Sequence, residues 1–325
     1  MIITKELFAD AIEKLMITGH TWVVGLSGGA DSLCLTMLAN EYATEHGVNL
    51  YACIVDHKLR PESSTEILPT IEILKQNSIN YKVFTWEHSA EITGSIEQKA
   101  RKARYEFLYQ YCHETGADVL MTAHHALDQW ETFFMRLSRG SALKGLTSIK
   151  SVSSFNDILL VRPLLQFSPD DIKETLKQRF NITDYVKDPS NEQDVYERVR
   201  WRKAYNELSE KYGLNIKSIN KTIERLNIAN DCLDEMVNAY LQEFLKGEYI
   251  DMSKYKGLHL ALRIRILEKI IYKLSPKGKH LISYFLLQKL ADEICKKNFT
   301  AANLSGLIFR RDRTKNIKVF TEHRK

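Results

Sequence analysis

Apolar residues in the first half of the chain follow two alternating rhythms. Thr21–Leu26 (TWVVGL), Leu50–Val55 (LYACIV), Asn80–Trp86 (NYKVFTW) and Asp118–Ala123 (DVLMTA) are short runs rich in β-branched and aromatic residues, and they predict strands. Between them lie longer amphipathic stretches that predict helices: one from about Asp31 to Glu45, one opened by a capping-box pattern at Ser63 and Glu66, one from Ser95 and Gln98 through about Thr115, and one over Gln129–Arg139. Strands alternating with helices of this length require right-handed crossovers, which give a doubly wound parallel sheet covered on both faces. The expected class is therefore α/β, with ligands at the carboxyl ends of the strands.

Beyond Arg162-Pro163-Leu164-Leu165 the pattern predicts a helix over Pro169–Phe180, a polar loop over Lys187–Asn191, and a basic helix from Val195 to Tyr212. The sequence Tyr212-Gly213-Leu214-Asn215 marks a boundary between a first domain, 1–214, and a second, 215–325. The second domain opens with one long helix from about Ile216 to Leu245, with apolar positions at Ile219, Ile223, Leu226, Cys232, Leu233, Met236 and Tyr240. Helices over Arg263–Leu274 and Leu281–Ile294 follow. The end reads as a strand-turn-strand hairpin, Gly306–Phe309 and Ile317–Phe320 around Arg310–Asn316, so this domain is smaller, mostly helical and finished by a basic hairpin-like tail.

A length of 325 residues suits two domains, and 44% hydrophobic with 27% charged residues is the balance of a globular protein with a real core. No apolar stretch approaches the ~18 residues a membrane helix needs, and the opening residues lack the basic head and apolar middle of a signal peptide, so a cytoplasmic protein is expected. Five scattered cysteines without a C-x-x-C pair point to small buried thiols rather than a disulfide framework or thiolate metal site. The net charge of +5 is concentrated: Lys296–Lys325 carries nine Lys/Arg against two Asp/Glu, leaving the rest slightly negative. Such a tail is either a solvated end or, through Arg310, Arg311 and Arg313, a contact for a phosphate backbone.

The strongest chemical signal is Ser27-Gly28-Gly29-Ala30-Asp31-Ser32, placed between a strand and a helix. Paired glycines let the backbone approach a ligand closely, and the free N–H groups and dipole of the following helix favour an anion. Ser27 and Ser32 add hydroxyl donors. Asp31 is out of place beside an anion unless a cation lies between them, so Mg²⁺ bridging Asp31 to phosphate is inferred. No G-K-[ST] follows, so this is not a Walker A loop.

A second constellation falls after the fourth strand: Ala123-His124-His125-Ala126-Leu127-Asp128-Gln129-Trp130-Glu131-Thr132. His124 or Asp128 is suited to accept a proton from an attacking amine, and Asp128 or Glu131 to hold an ammonium group. Arg104, on the preceding helix, is a permanent cation suited to a phosphoryl transition state. Arg198, Arg200 and Arg202 do not share one helical face and are read either as an exposed basic helix or as contacts fanned around a phosphate-lined groove.

Together these segments resemble a known family. Ser27–Ser32 matches the S-G-G-x-D-S signature of PP-loop ATP pyrophosphatases. Val55-Asp56-His57-Lys58-Leu59-Arg60 with Ser63 and Glu66, Ala100-Arg101-Lys102-Ala103-Arg104-Tyr105, the His124–Thr132 segment with Arg136 and Arg139-Gly140-Ser141, then Gly145-Leu146, Arg162–Leu165 and Asp188-Pro189-Ser190-Asn191 are similar to motifs of tRNA(Ile)-lysidine synthetases, in the same order. The resemblance implies an ATP- and Mg²⁺-dependent ligase that joins L-lysine to C2 of the wobble cytidine of a tRNA(Ile) with a CAU anticodon, through an adenylated intermediate, releasing pyrophosphate and AMP and changing codon reading from AUG to AUA. It implies ATP at Ser27, Gly28, Gly29, Ala30, Asp31 and Ser32; catalysis by Asp31, Arg104, His124 and Asp128; lysine at Asp128 and Glu131; and tRNA along Arg198, Arg200, Arg202 and the tail. Leu127 departs from the family, which usually carries Asp or Asn there. Other readings are a PP-loop tRNA sulfur transferase, an inactive RNA-binding relative and a small-molecule amide-forming ligase. A homodimer is left open.

Overall fold

The protein is described here from a computed structural model covering residues 1–59, 63–88, 96–186, 197–246, 249–275 and 282–321. Arg60, Ser95, Leu281, the predicted loop Lys187–Asn191 and the start of the following helix at Val195 lie outside these described residues.

The chain divides into two compact units, residues 1–141 with 145–223, and residues 142–144 with 224–325. The division falls inside a helix that starts just beyond the Gly213 turn. In chain order the elements are α1 (Lys5–Lys14), β1 (Thr21–Leu26), α2 (Ala30–His46), β2 (Asn49–Asp56), α3 (Ser63–Glu66), α4 (Leu68–Gln76), β3 (Asn80–Thr85), α5 (Ile96–Thr115), β4 (Val119–Met121), α6 (Ala126–Ser138), α7 (Leu143–Leu146), β5 (Val152–Phe155), β6 (Ile158–Val161), α8 (Pro169–Phe180) and α9 (Glu197–Tyr212). There follow α10 (Ile216–Phe244), β7 (Leu245–Lys246), β8 (Tyr249–Ile250), α11 (Met252–Tyr255), α12 (Leu260–Leu274), α13 (Tyr284–Cys295), β9 (Ala301–Leu304), β10 (Leu307–Arg311) and β11 (Ile317–Thr321).

The first unit is built on a six-stranded sheet of order β3-β2-β1-β4-β6-β5, parallel except for the edge strand β5. The period of two along β1 sorts its side chains between two cores. Trp22, Val24 and Leu26 join Leu35, Leu38, Ile172 and Leu176 on the side of α2 and α8, whereas Val23 joins Leu108, Cys112 and Leu120 on the side of α5. The sheet is thus covered on both faces, and each crossover leaves its loop at the carboxyl edge. Chain order reverses direction across the sheet between β1 and β4, the place where doubly wound folds open a crevice.

The second unit pairs helices with an antiparallel sheet of order β7-β8-β11-β10-β9. The expected hairpin is β10–β11, in register Leu307↔Thr321 to Arg311↔Ile317, and it acquires a third strand, β9, that the sequence reading did not include. The register of α10 differs from expectation. Val237 and Tyr240 are buried with Asn230, whereas Met236 is half exposed and Cys232 is exposed. The inward stripe of this unit runs through positions 230, 233, 237, 240 and 241, and Met236 lies one residue off it. Cys34, Cys53 and Cys112 are the expected buried thiols. The Ser63 pattern also acts differently from a helix cap: its hydroxyl donates to Asp56, and the helix it begins stops after Glu66 before α4 takes over. Among the described residues no helix is long and apolar enough to cross a membrane.

Candidate active site

The loop after β1 turns sharply into α2. Gly28 has φ +82°, a conformation that L side chains rarely adopt, and a Cβ there would lie 2.8 Å from Val186 Cγ2 and 2.9 Å from Thr70 Oγ1. Val186 N–H donates to the Gly28 carbonyl (3.0 Å), so the chain leaving α8 folds back over the loop. Ser27 N–H donates to Ser32 Oγ (3.1 Å), the two hydroxyls are 3.1 Å apart, and Ser32 Oγ donates to the Gly29 carbonyl (3.1 Å). Gly29 is the N-cap of α2 and no side chain caps it, so the helix's first N–H groups remain available to an anion. The glycine cradle, the uncapped 17-residue helix and the carboxylate in its first turn fit a nucleotide phosphate with a divalent cation. Among the described residues no three His, Cys, Asp or Glu side chains form a metal cluster of their own.

Across the switch point, β4 ends at Met121 and α6 begins at Ala126, three residues earlier than expected. The cause is a capping box in which Asp128 accepts from His125 N–H at 2.9 Å. Histidine is not among the preferred N-cap types, so the start was hidden in the sequence. The arrangement also brings in a residue the sequence reading passed over. The imidazole of His125 is buried, with Nε2 3.6 Å from Asp31 Oδ2 and Nδ1 3.5 Å from Asp128 Oδ2. Burial opposes its charge, but Asp128 and Asp31 outweigh that and its pKa is raised. Its partner Asp31 comes from another crossover, a juxtaposition no local pattern announces.

His124 has the opposite electrostatics. Its Nδ1 is 3.0 Å from Thr122 Oγ1, and burial, with the positive charges of Arg162, Arg101 and Arg104, takes its pKa down to about 4 against the pull of Asp128. His124 is therefore neutral near pH 7. Burial also lowers the pKa of Arg104, abetted by Arg101 and Arg198. Arg101 and Arg104 lie 5.2 and 5.7 Å from the Tyr105 ring, and neither has a carboxylate partner among the described residues. Asp128 resists the desolvation that would raise its pKa and is held low by His125, His124, the His125 N–H and Arg198. A positive pocket thus surrounds His124 and Asp128.

Other expected residues have structural partners. Glu131 is fully buried and takes the guanidinium of Arg202 on Oε1 at 2.7–2.8 Å, while its Oε2 has no hydrogen-bond partner. Arg136 donates to the Gly145 and Ser148 carbonyls, and Arg139 pairs with Glu197. Leu127 packs with Trp130 and Ile216 in an apolar cluster, so it serves the core on which α6 rests rather than the ligand side. Arg198 and Arg200 are exposed on α9. In the second unit Arg311 donates to the Ile294, Lys296 and Lys297 carbonyls, closing the end of α13, whereas Arg310 lies over the Phe320 ring and Arg313 is exposed.

A parallel sheet whose first crossover presents a glycine-lined helix N-terminus, and whose fourth strand carries a His–Asp pair to the same crevice, defines an ATP-using PP-loop protein. Comparison agrees: the model of the PP-loop domain family matches residues 4–208. The chain is 32% identical over 307 residues to the tRNA(Ile)-lysidine synthase of Wolbachia sp. subsp. Brugia malayi, covering 90% of this chain and 70% of that one. It is 30% identical over 265 residues to the tRNA(Ile)-lysidine synthase of Orientia tsutsugamushi, covering 81% and 58%. Among solved structures it resembles the U34-tRNA thiolase NcsA from Methanococcus maripaludis with TM-score 0.57 and 22% identity over 68% of this chain and 79% of that one, a likeness of fold alone. The chain belongs to the tRNA(Ile)-lysidine synthase family of PP-loop proteins.

Proposed function

We propose that this protein ligates L-lysine to C2 of the wobble cytidine of a tRNA(Ile) with a CAU anticodon, at the expense of ATP. The cytosine O2 attacks the α-phosphorus, the bond to the β-phosphate breaks and pyrophosphate leaves. The ε-amine of lysine then attacks C2, loses a proton, and AMP departs with the former O2. The observation that carries this reading is the meeting of the PP-loop and the α6 N-terminus around one buried imidazole, with Asp31 and Asp128 on its two sides.

Each group has a task in the proposed reaction. Ser27, Gly28, Gly29, Ala30 and Ser32 receive the leaving pyrophosphate at the N-terminus of α2. Asp31 holds Mg²⁺, which neutralises phosphate charge when bound. Arg104, half-buried and without a carboxylate partner among the described residues, stabilises charge at the α-phosphate. Asp128, its pKa held low by the histidines and Arg198 beside it, and the unpartnered Oε2 of Glu131 are the acceptors for the amino groups of lysine. His124 is neutral and therefore able to accept a proton or a hydrogen bond. Arg198 and Arg200 on α9 and the exposed arginines of the tail are assigned to tRNA phosphates.

Purified protein with ATP, Mg²⁺, labelled lysine and tRNA(Ile) transcript is expected to give labelled tRNA and stoichiometric AMP and pyrophosphate. Labelled tRNA that forms without AMP release, or AMP release with no lysine in the tRNA, would reject the reading.

A further inference from the structure

We infer that His125 is a positioning residue that mechanically links the ATP half of the site to the half receiving the amine; this rests on the ligase reading above. The residue is 6% exposed, out of reach of bulk water, directly ahead of α6. Its two nitrogens face two carboxylates from different crossovers, Nε2 at 3.6 Å from Asp31 in the first turn of α2 and Nδ1 at 3.5 Å from Asp128 in the first turn of α6; Nδ1 is buried and makes no hydrogen bond, so the ring is held between the two by charge and packing. An imidazole is rigid, and its nitrogens lie on different edges. A displacement of either carboxylate therefore bears on the ring and, through it, on the other carboxylate.

The two carboxylates are held unequally. Asp128 is fixed a second time, because its Oδ2 also accepts from the His125 backbone N–H at 2.9 Å. Asp31 has 40% of its side chain exposed, and His125 is the charged side chain that faces it among the described residues. The rigid end of the link is therefore α6, and the end being steered is the PP-loop carboxylate. His125 touches neither substrate in this scheme, and its ring lies between the groups that do. Movement of Asp31 on nucleotide binding reaches Asp128 through the ring, and loss of the Asp128 carboxylate slackens Asp31.

The test is a double-mutant cycle read by equilibrium binding of ATP with Mg²⁺, by calorimetry, with lysine transfer measured alongside. His125→Leu removes both nitrogens at similar bulk, His125→Gln restores one polar contact, and Asp128→Asn removes the charge at the far end. His125→Leu is expected to weaken ATP binding by about tenfold and His125→Gln to recover part of that loss. Asp128→Asn is expected to weaken ATP binding severalfold in the wild-type background and to have no further effect in the His125→Leu background. Unchanged ATP affinity in folded His125→Leu, or an equal effect of Asp128→Asn in both backgrounds, overturns the link. Should His125→Leu fail to fold, the same cycle is run with His125→Gln, and additivity there overturns it equally. Coupling in ATP binding without lysine transfer to tRNA would leave the link standing and remove the ligase reading; transfer with additive binding effects would do the reverse.

Discussion

Glu131 and Arg202 lie 71 positions apart and form an ion pair in which the Glu131 side chain has no exposed surface, while that of Arg202 keeps 36% of its own. The pair joins α6 to α9, next to the Trp130 indole that donates to the Trp201 carbonyl at 3.2 Å and meets Tyr205 edge to face. Arg202 is therefore a brace for the site.

Removing one member of such a pair leaves the other buried and uncompensated. Arg202→Ala is expected to cost about 3 kcal/mol of folding stability, measured by urea denaturation, because the Glu131 carboxylate loses its counter-ion. The pKa of Glu131 is already raised by burial despite Arg202. The double variant Glu131→Gln, Arg202→Met is expected to be more stable than Arg202→Ala alone. Equal stability of wild type and Arg202→Ala would show that the pair is not the brace described.

Gly28 is the position at which the loop tolerates least. A Cβ meets Val186 and Thr70 below 3.0 Å, and the positive φ adds strain of its own. Gly28→Ala is expected to weaken ATP binding by at least about tenfold, with far-UV circular dichroism unchanged, because the distortion is confined to the phosphate cradle. Gly47→Ala, which also sits at positive φ but has nothing within 4 Å, is the control expected to leave ATP binding intact.

The pattern of success in reading the sequence has physical causes. β1 and the α8 limits coincide with expectation because a β-branched apolar run, the Ser168 cap and the Pro169 start are local signals. The four-residue strands β5 and β6 are too short to show a period, and their turn at Asn156, with φ 55°, carries no glycine. In the site, Asp31, Arg104, His124 and Asp128 were visible as chemistry in motifs. His125 and the partners of Glu131 and Arg311 were not, because each is defined by a group distant in sequence.

His124 gives a pH signature with a definite sign. Its folded pKa of about 4 lies below the unfolded value near 6.5, so between those limits the unfolded chain binds a proton that the folded chain refuses. Its contribution to stability is intact above about pH 6.5 and is lost as pH falls toward 4. Compared with wild type, His124→Gln is expected to gain up to about 3 kcal/mol in relative stability between pH 7 and 4, measured by denaturation at each pH. By NMR the ring is expected to stay neutral down to about pH 5. A ring that titrates at 6.5 would remove both the signature and the positive pocket invoked to explain it.

The tail separates two kinds of arginine. Arg311 donates to three carbonyls at the end of α13, so Arg311→Ala is expected to lower stability by about 1–2 kcal/mol, the scale of lost bonds to a charged donor. Arg310 and Arg313 are both exposed, and Arg310 lies over the Phe320 ring. Arg310→Ala with Arg313→Ala is therefore expected to leave the melting temperature nearly unchanged while weakening tRNA binding. If these side chains meet phosphates, the loss is uniform across tRNA species, and the slope of log Kd against log salt flattens by about one unit for each contact removed. Binding measured by filter retention from low to moderate salt decides between the roles. An unchanged slope in the double variant assigns the hairpin to the solvated surface and leaves the tRNA contacts to α9.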